Sequence, residues 1–330
     1  MTKKYYKEID ILKGIAIILV VLGHSISYLG ESSKSWSLVN EVIYNFHMPI
    51  FFFASGFLSN KILEFKKIEL GYMKNKAIRM LLPYCSCGLL YLVFRKALSM
   101  ALGIKYDSAP LWKMLIGVNP SYSLWFLYVL FICLALSILF VRKRNIVPIM
   151  IVALLLSVFL GFITPDGYSP LNILSKIFKN YIYVLLGIYC GANYDKLVKY
   201  FNIVCTLVSL AVFVASNVAL HYVTEGIGNN ALKIPAALSA IVIIISIARK
   251  VQNLKVSNIL KILGISSMGI FVISGFIQPL MKSVLTNKVH LNVTCSILIC
   301  FFGSLLISLL ATYLIKKIKI VRLIILGEQS

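Results

Sequence analysis

A chain whose apolar residues come in runs of about twenty, separated by short basic stretches, has few folds open to it. A helix needs about 20 such residues to cross a hydrocarbon layer about 30 Å thick. Ten runs of this kind can be marked: 11–29, 42–60, 78–101, 122–140, 146–163, 180–193, 200–221, 233–248, 259–280 and 293–315. The run at 180–193 is the shortest, and it can extend upstream to about Leu174. Only 13% of the residues are charged, about half the share found in soluble domains. The mean hydropathy of +0.91 agrees. The expectation is an all-α, polytopic membrane bundle of about ten transmembrane helices. It forms one domain over residues 1–330, with no appended soluble domain, because the outer loops near 30–41, 102–121 and 164–179 are too short to fold alone.

The formal charge is +22, from 33 Lys and Arg against 11 Asp and Glu. In a soluble protein such an excess points to nucleic acid. Here the cations sit between apolar runs and no nucleic-acid motif accompanies them, so the partners expected are membrane lipids and not nucleic acid. Placing the N-terminus in the cytoplasm puts roughly two-thirds of the Lys and Arg on the inner side, and every inner segment is then basic. The acidic residues divide almost evenly, so the bias belongs to Lys and Arg. Both termini are expected inside. The basic N-terminus followed by Ile11–Leu29 resembles the first half of a signal peptide, but the run is too long, contains His24 and lacks a small-residue cleavage site. It reads as a retained first helix. The seven cysteines form no CxxC pair and read as small buried apolar side chains, not as disulfides or a metal site.

Ionisable groups inside a membrane are costly and therefore informative. The first run carries Lys13 and His24, eleven positions apart. At 100° per residue they share one face, about 16 Å apart along the axis. Asp10 lies near the same face. A cation near the cytoplasmic end can hold a phosphate, and a neutral imidazole further in can act as a general base. An interhelical hydrogen bond for His24 and a snorkelling Lys13 are equally open on this helix alone. His47, Met48 and Pro49 open the second run, with Ser55 and Gly56 further on; packing is the role expected of Gly56. Lys76 and Arg79 share a face at the cytoplasmic entry of the third run, where they can grip an anion or simply anchor the inner loop. Trp125 falls at the outer edge of the fourth run, the usual place for an interfacial aromatic.

Four strings, taken in order, resemble the membrane acyltransferase family 3, the bacterial O-acyltransferases that modify surface polysaccharides. They are Asp10-x-Leu12-Lys13-Gly14-Ile15-Ala16 with Val20-Val21-Leu22-Gly23-His24, His47-Met48-Pro49 with Phe51-Phe52-Phe53-Ala54-Ser55-Gly56-Phe57, Lys76-Ala77-Ile78-Arg79 with Leu82-Pro83-Tyr84, and Leu124-Trp125-Phe126-Leu127. A weaker stretch runs from Leu263 to Phe271. The first-helix cation is usually Arg in that family and is Lys13 here, which keeps the charge and loses the planar fork. The family often has a His where this chain has Ser274, so Ser274 is assigned no catalytic role. The resemblance implies a bacterial cytoplasmic-membrane, multi-pass enzyme. Its donor is acetyl-CoA or another short acyl-CoA on the cytoplasmic side, it uses no metal, and its acceptor is a glycan, possibly lipid-linked. On that reading Lys13, Lys76 and Arg79 hold the donor, and His24 serves as base or acyl carrier. His47 orients the acceptor, with Asp10, Ser55 and Trp125 in support. A transporter or flippase of a lipid-linked sugar is the rival expectation, although no matched pair of broken helices supports it. No oligomeric state follows from the sequence.

Overall fold

The computed structural model describes residues 5–30, 33–102, 111–118, 124–159, 170–224, 226–288 and 291–329, and these contain helices and no strand. The helices are α1 (Lys7–Leu29), α2 (Lys34–Phe57), α3 (Leu70–Leu102), α4 (Trp125–Phe140), α5 (Ile146–Phe159), α6 (Pro170–Ala192), α7 (Tyr194–Leu197), α8 (Ile203–Tyr222), α9 (Ile227–Val251), α10 (Val256–Ile265), α11 (Ser267–Lys288), α12 (Val293–Lys317) and α13 (Lys319–Leu326). Seven helices, α1, α3, α6, α8, α9, α11 and α12, are long and apolar enough to cross a membrane, and α4, α5 and α10 are shorter apolar helices. With α2, which is long but polar along its first half, each expected run has a helical counterpart. The protein is a polytopic helical membrane bundle.

The side-chain pattern shows what the bundle faces. On α12, Phe302, Leu306 and Leu310 are exposed, while Ser304, Ser308 and Thr312 point inward. Ser304 Oγ donates to the Cys300 carbonyl at 2.5 Å and Thr312 Oγ1 to that of Ser308 at 2.7 Å, so these two hydroxyls are satisfied by their own helix. α8 likewise turns Val204, Leu207 and Val208 outward. Contiguous hydrocarbon of this extent suits lipid and not water.

Between helices the packing relies on small residues. Lipid supplies little hydrophobic drive for helix association, so close backbone approach matters more than in water. A Cβ on Gly187 would sit 2.1 Å from the Phe53 carbonyl oxygen, and one on Gly56 would sit 2.1 Å from that of Val184. Gly56, expected to be a packing residue, thus sits at the α2–α6 crossing, and Gly187 and Gly191 form a G-x-x-x-G pair against it. Replacing Gly187 by Val forces these backbones apart. The cost expected exceeds the 1–3 kcal/mol typical of overpacking, read as a lower melting point of the purified protein and a smaller folded fraction in detergent.

α1 packs against α2, α9, α10, α11 and α12 and is the most buried of the spans. A Cβ on Gly14 would meet the Leu260 carbonyl oxygen at 2.0 Å, and one on Gly264 would meet that of Asp10 at 1.8 Å, so α1 and α10 touch backbone to backbone. At the far end Gln278 Nε2, on α11, donates to the Val21 carbonyl at 2.8 Å and to Ser25 Oγ at 3.1 Å. Both ends of the segment bearing Lys13 and His24 are therefore fixed.

Several boundaries differ from those expected. α2 begins at Lys34 and α6 at Pro170, inside stretches expected to be loops. Polar residues end an apolar run in sequence, but the helices continue through them: those opening α2 are mostly exposed, while Lys176 and Lys179 of α6 line a cavity. The run 259–280 is two helices joined at Ser266. Cys85 and Cys295 are exposed, not buried, while Cys87, Cys133 and Cys300 are buried. A thiol facing hydrocarbon meets an environment as apolar as a protein core.

Candidate functional site

Two internal cavities hold the candidate residues. The larger, about 580 Å³, is lined by His24, Tyr44, His47, Pro49 and Trp125 among others. His24 Nδ1 shares a 3.2 Å hydrogen bond with Tyr44 Oη. Tyr44 Oη in turn lies 3.1 Å from Ser27 Oγ, which accepts from Asn40 Nδ2 at 3.0 Å. The Tyr44 ring stands between the imidazoles, with centroids 6.1 Å from His24 and 4.8 Å from His47, edge-on to both. His47 is buried, and its Nδ1 lies 2.8 Å from the Ile43 carbonyl oxygen. A carbonyl only accepts, so neutral His47 carries its proton on Nδ1 and leaves Nε2 as the acceptor. Helical periodicity explains the grouping: Ser27 follows His24 by three residues, and His47 follows Tyr44 by three, so each pair shares a face.

The smaller cavity, about 300 Å³, is lined by Lys13, Ser55, Lys76 and Arg79 with the α10–α11 joint at Gly264 and Ser267. Lys13 Nζ pairs with Asp10 at 2.7 Å, and Asp10 is buried. This pairing fixes the ammonium at the wall. Lys76 Nζ donates to Ser59 Oγ at 2.9 Å and lies 5.1 Å from the centre of the Tyr72 ring. The Arg79 backbone is held by the C-terminal segment: Gly327, with φ 62° in the left-handed region that favours glycine, has room for no Cβ, which would fall 2.6 Å from Arg79 Cα. The break between α10 and α11 lies at this cavity. The two helix ends supply part of the wall.

Met48 and Phe271 line both cavities. They form the partition between the chamber that holds His24 and His47 and the chamber that holds Lys13, Lys76 and Arg79. The structure thus brings Lys13, Lys76, Arg79 and Ser55 together in one place and His24, His47 and Trp125 in an adjoining one. Ser274 donates to the Phe271 carbonyl of its own helix at 3.1 Å.

Sequence reasoning did not single out Tyr44, Ser27, Lys176, Lys179, Asn180, Asn230, Lys233 or Gln278. The signal available for part of this set is spacing: Lys176, Lys179, Asn180 and Tyr183 recur at helical intervals on α6 and all line the larger cavity. Trp125, read as an interfacial aromatic and as a supporting residue, forms a wall of that cavity, with Lys176 Nζ 4.7 Å from its ring centre. Among the described residues no cluster of three or more His, Cys, Asp or Glu side chains is placed to hold a metal ion.

A buried polar site of this kind, in two chambers inside a multi-pass bundle, is the construction of a membrane-embedded enzyme or carrier. The family described as an acyltransferase domain matches residues 6–313, and the chain belongs to that family. Nodulation protein NolL of Mesorhizobium japonicum is 39% identical over 77 residues, which cover 22% of this chain and 20% of that protein. The match thus spans about a fifth of the relative's length. No solved structure matches the chain.

Proposed function

We propose that this protein is an O-acyltransferase of the bacterial cytoplasmic membrane. It moves an acetyl or other short acyl group from acyl-CoA to a hydroxyl of a cell-surface polysaccharide or its lipid-linked precursor. The observation that carries this reading is the partitioned pair of cavities, with Lys13, Lys76 and Arg79 on one side of Met48 and Phe271 and both imidazoles, beside three lysines of α6 and α9, on the other. Membership of the acyltransferase family supports it. The Lys/Arg distribution supports an orientation with both termini in the cytoplasm, so that the donor chamber opens inward.

In the reaction the cations of the smaller chamber hold the donor's phosphates, and the pantetheine arm carries the thioester to the partition. His24 Nδ1 donates to Tyr44 Oη, Tyr44 donates to Ser27, and Nε2 of His24 is left bare to take a proton from the acceptor hydroxyl. The oxygen adds to the thioester carbonyl, the C–S bond breaks, and the imidazolium returns its proton to the departing thiolate. The products are an O-ester and free CoA thiol.

Purified protein should release CoA thiol from acetyl-CoA only when an acceptor glycan is present. Replacing Lys13 or Arg79 by Gln should raise the apparent KM for acetyl-CoA by about five- to tenfold, the loss of about 1–1.4 kcal/mol of charge-assisted binding per contact. Thiol release at a rate indifferent to acceptor, or a KM unmoved by either substitution, would remove the basis for this assignment.

A further inference from the structure

The segment that follows the last span folds back onto the smaller cavity. α13 follows α12 after Ile318 alone, and its far end is docked on α3. Ser86 Oγ donates to the Ile324 carbonyl at 2.6 Å, Cys87 Sγ lies 3.8 Å from that of Ile325, and Leu326 is fully buried. Glu328 pairs with Lys316 at 3.5 Å. The same ammonium lies 3.4 Å from the carbonyl of Ile265, which lines the cavity at the α10–α11 joint. The segment thus reaches from the wall formed by α3 to the wall formed by α10 and α11. It lies beyond residues 6–313, which the family model matches.

It meets α3 at that helix's weak point. In an unbroken helix the carbonyl of residue 79 accepts from the N–H of residue 83, and residue 83 is here Pro83, which has none. The Arg79 backbone is therefore held less firmly by its own helix than its neighbours are. Gly327 covers it: a Cβ at 327 would fall 2.6 Å from Arg79 Cα and from the Arg79 carbonyl oxygen. The side chain depends on this support more than the other two cations of the cavity do. Lys13 is tied by Asp10 and Lys76 by Ser59, whereas among the described residues no hydrogen bond or ion pair ties the Arg79 guanidinium.

We propose that Gly327 is a positioning residue for the donor: by seating the segment 318–328 directly on the Arg79 backbone, it sets where the guanidinium stands in the smaller cavity. The statement rests on the reading above, in which the cations of this cavity hold the phosphates of acyl-CoA. Backbone atoms have no rotamer with which to yield, so a larger residue at 327 lifts the segment or displaces Arg79. The effect falls on affinity for the donor and not on the proton transfer at His24, which lies in the other chamber.

The test uses full-length protein in phosphatidylcholine nanodiscs, with Gly327→Ala and Gly327→Asn. Both bring a Cβ, but asparagine accepts the left-handed region at φ 62° far better than alanine does. Crowding of Arg79 acts on both alike, whereas strain confined to the segment acts on alanine alone. CoA, and inorganic pyrophosphate as a probe of the phosphate contacts, should each bind about five- to tenfold more weakly to both variants, as for loss of one charge-assisted contact. Added to Arg79→Gln, Gly327→Asn should weaken CoA by less than about a further twofold, because the two act through one contact. KM for acetyl-CoA should rise while kcat at saturating donor holds. Melting points and a monodisperse gel-filtration peak report folding. A second measurement needs no variant: coupling is reciprocal, so CoA should slow amide exchange across 319–328 of the unsubstituted protein. CoA affinity unmoved by Gly327→Asn, losses that add to those of Arg79→Gln, or exchange in 319–328 indifferent to CoA overturns the inference and leaves acyl transfer standing. Pyrophosphate binding that depends on both Gly327 and Arg79, in a protein that transfers no acyl group, leaves the inference and counts against acyl transfer. Unsubstituted protein that binds neither CoA nor pyrophosphate overturns both.

Discussion

His24→Ala is expected to lower acyl transfer by about 10²–10⁴-fold, the range that a positioned general base supplies, with no change in the amount of protein in the membrane. The second half of this expectation comes from packing. His24 is half-buried on a cavity wall and its contacts are with Tyr44, while the anchoring of α1 is done elsewhere, by Gln278 on Val21 and Ser25 and by the glycine contacts to α10. The NMR spectrum of the surface polysaccharide, with and without the substitution, reports the acyl content. Acylation that persists with alanine at this position excludes the imidazole from the chemistry.

Tyr44→Phe should separate the base from its support. The phenol is the atom through which Ser27 and Asn40 reach His24 Nδ1. Without it the ring is free to place its proton on Nε2, the nitrogen that must be bare, so kcat falls while KM for the donor holds. His47 does not depend on this relay. Its tautomer is set by the Ile43 carbonyl, which makes it a fixed acceptor suited to holding a sugar hydroxyl.

What the sequence disclosed and what it hid follow one physical rule. Residues facing lipid are apolar and come in runs, so the spans could be marked without a structure. His24, Lys13 and the pair Lys76 and Arg79 stood out because each interrupts or borders such a run. Lys176 and Lys179 did not, since they lie where an apolar run has already ended and so passed for loop cations. α6 in fact begins at Pro170, and the lysines lie on its inward face. Lys233 on α9 stands at the first position of the run 233–248, where a cation passes for a boundary residue. The helical interval shared by Lys176, Lys179, Asn180 and Tyr183 was readable in principle, but a period of this kind shows an amphipathic face only once the segment is known to be helical. The break at Ser266 was hidden for the opposite reason. Gly264, Ser266, Ser267 and Gly269 are small residues that a membrane helix tolerates, so the run reads on through them, and only the contact of Gly264 with the Asp10 backbone shows why the chain must turn there.

The partition makes the sharpest demand on the mechanism. If cations hold one end of the donor and an imidazole serves its other end, the reacting atoms meet between Met48 and Phe271, the two side chains common to both chambers. Met is unbranched and adaptable, so it can let a slender pantetheine arm pass; an indole in its place cannot. Met48→Trp is therefore expected to lower kcat for transfer by about 10²-fold, the cost of misplacing reacting groups by about 1 Å. Binding of CoA measured by calorimetry should change little, because Lys13, Lys76 and Arg79 lie on the other side. Phe271→Ala works in the reverse sense. It removes a wall that keeps the water of one chamber from the thioester in the other, so acetyl-CoA should be hydrolysed without acceptor while the yield of ester per thiol released declines. The pair of outcomes discriminates between a partition and mere packing: a residue important only for stability would lower transfer and hydrolysis together, whereas here one substitution closes the route and the other uncouples it.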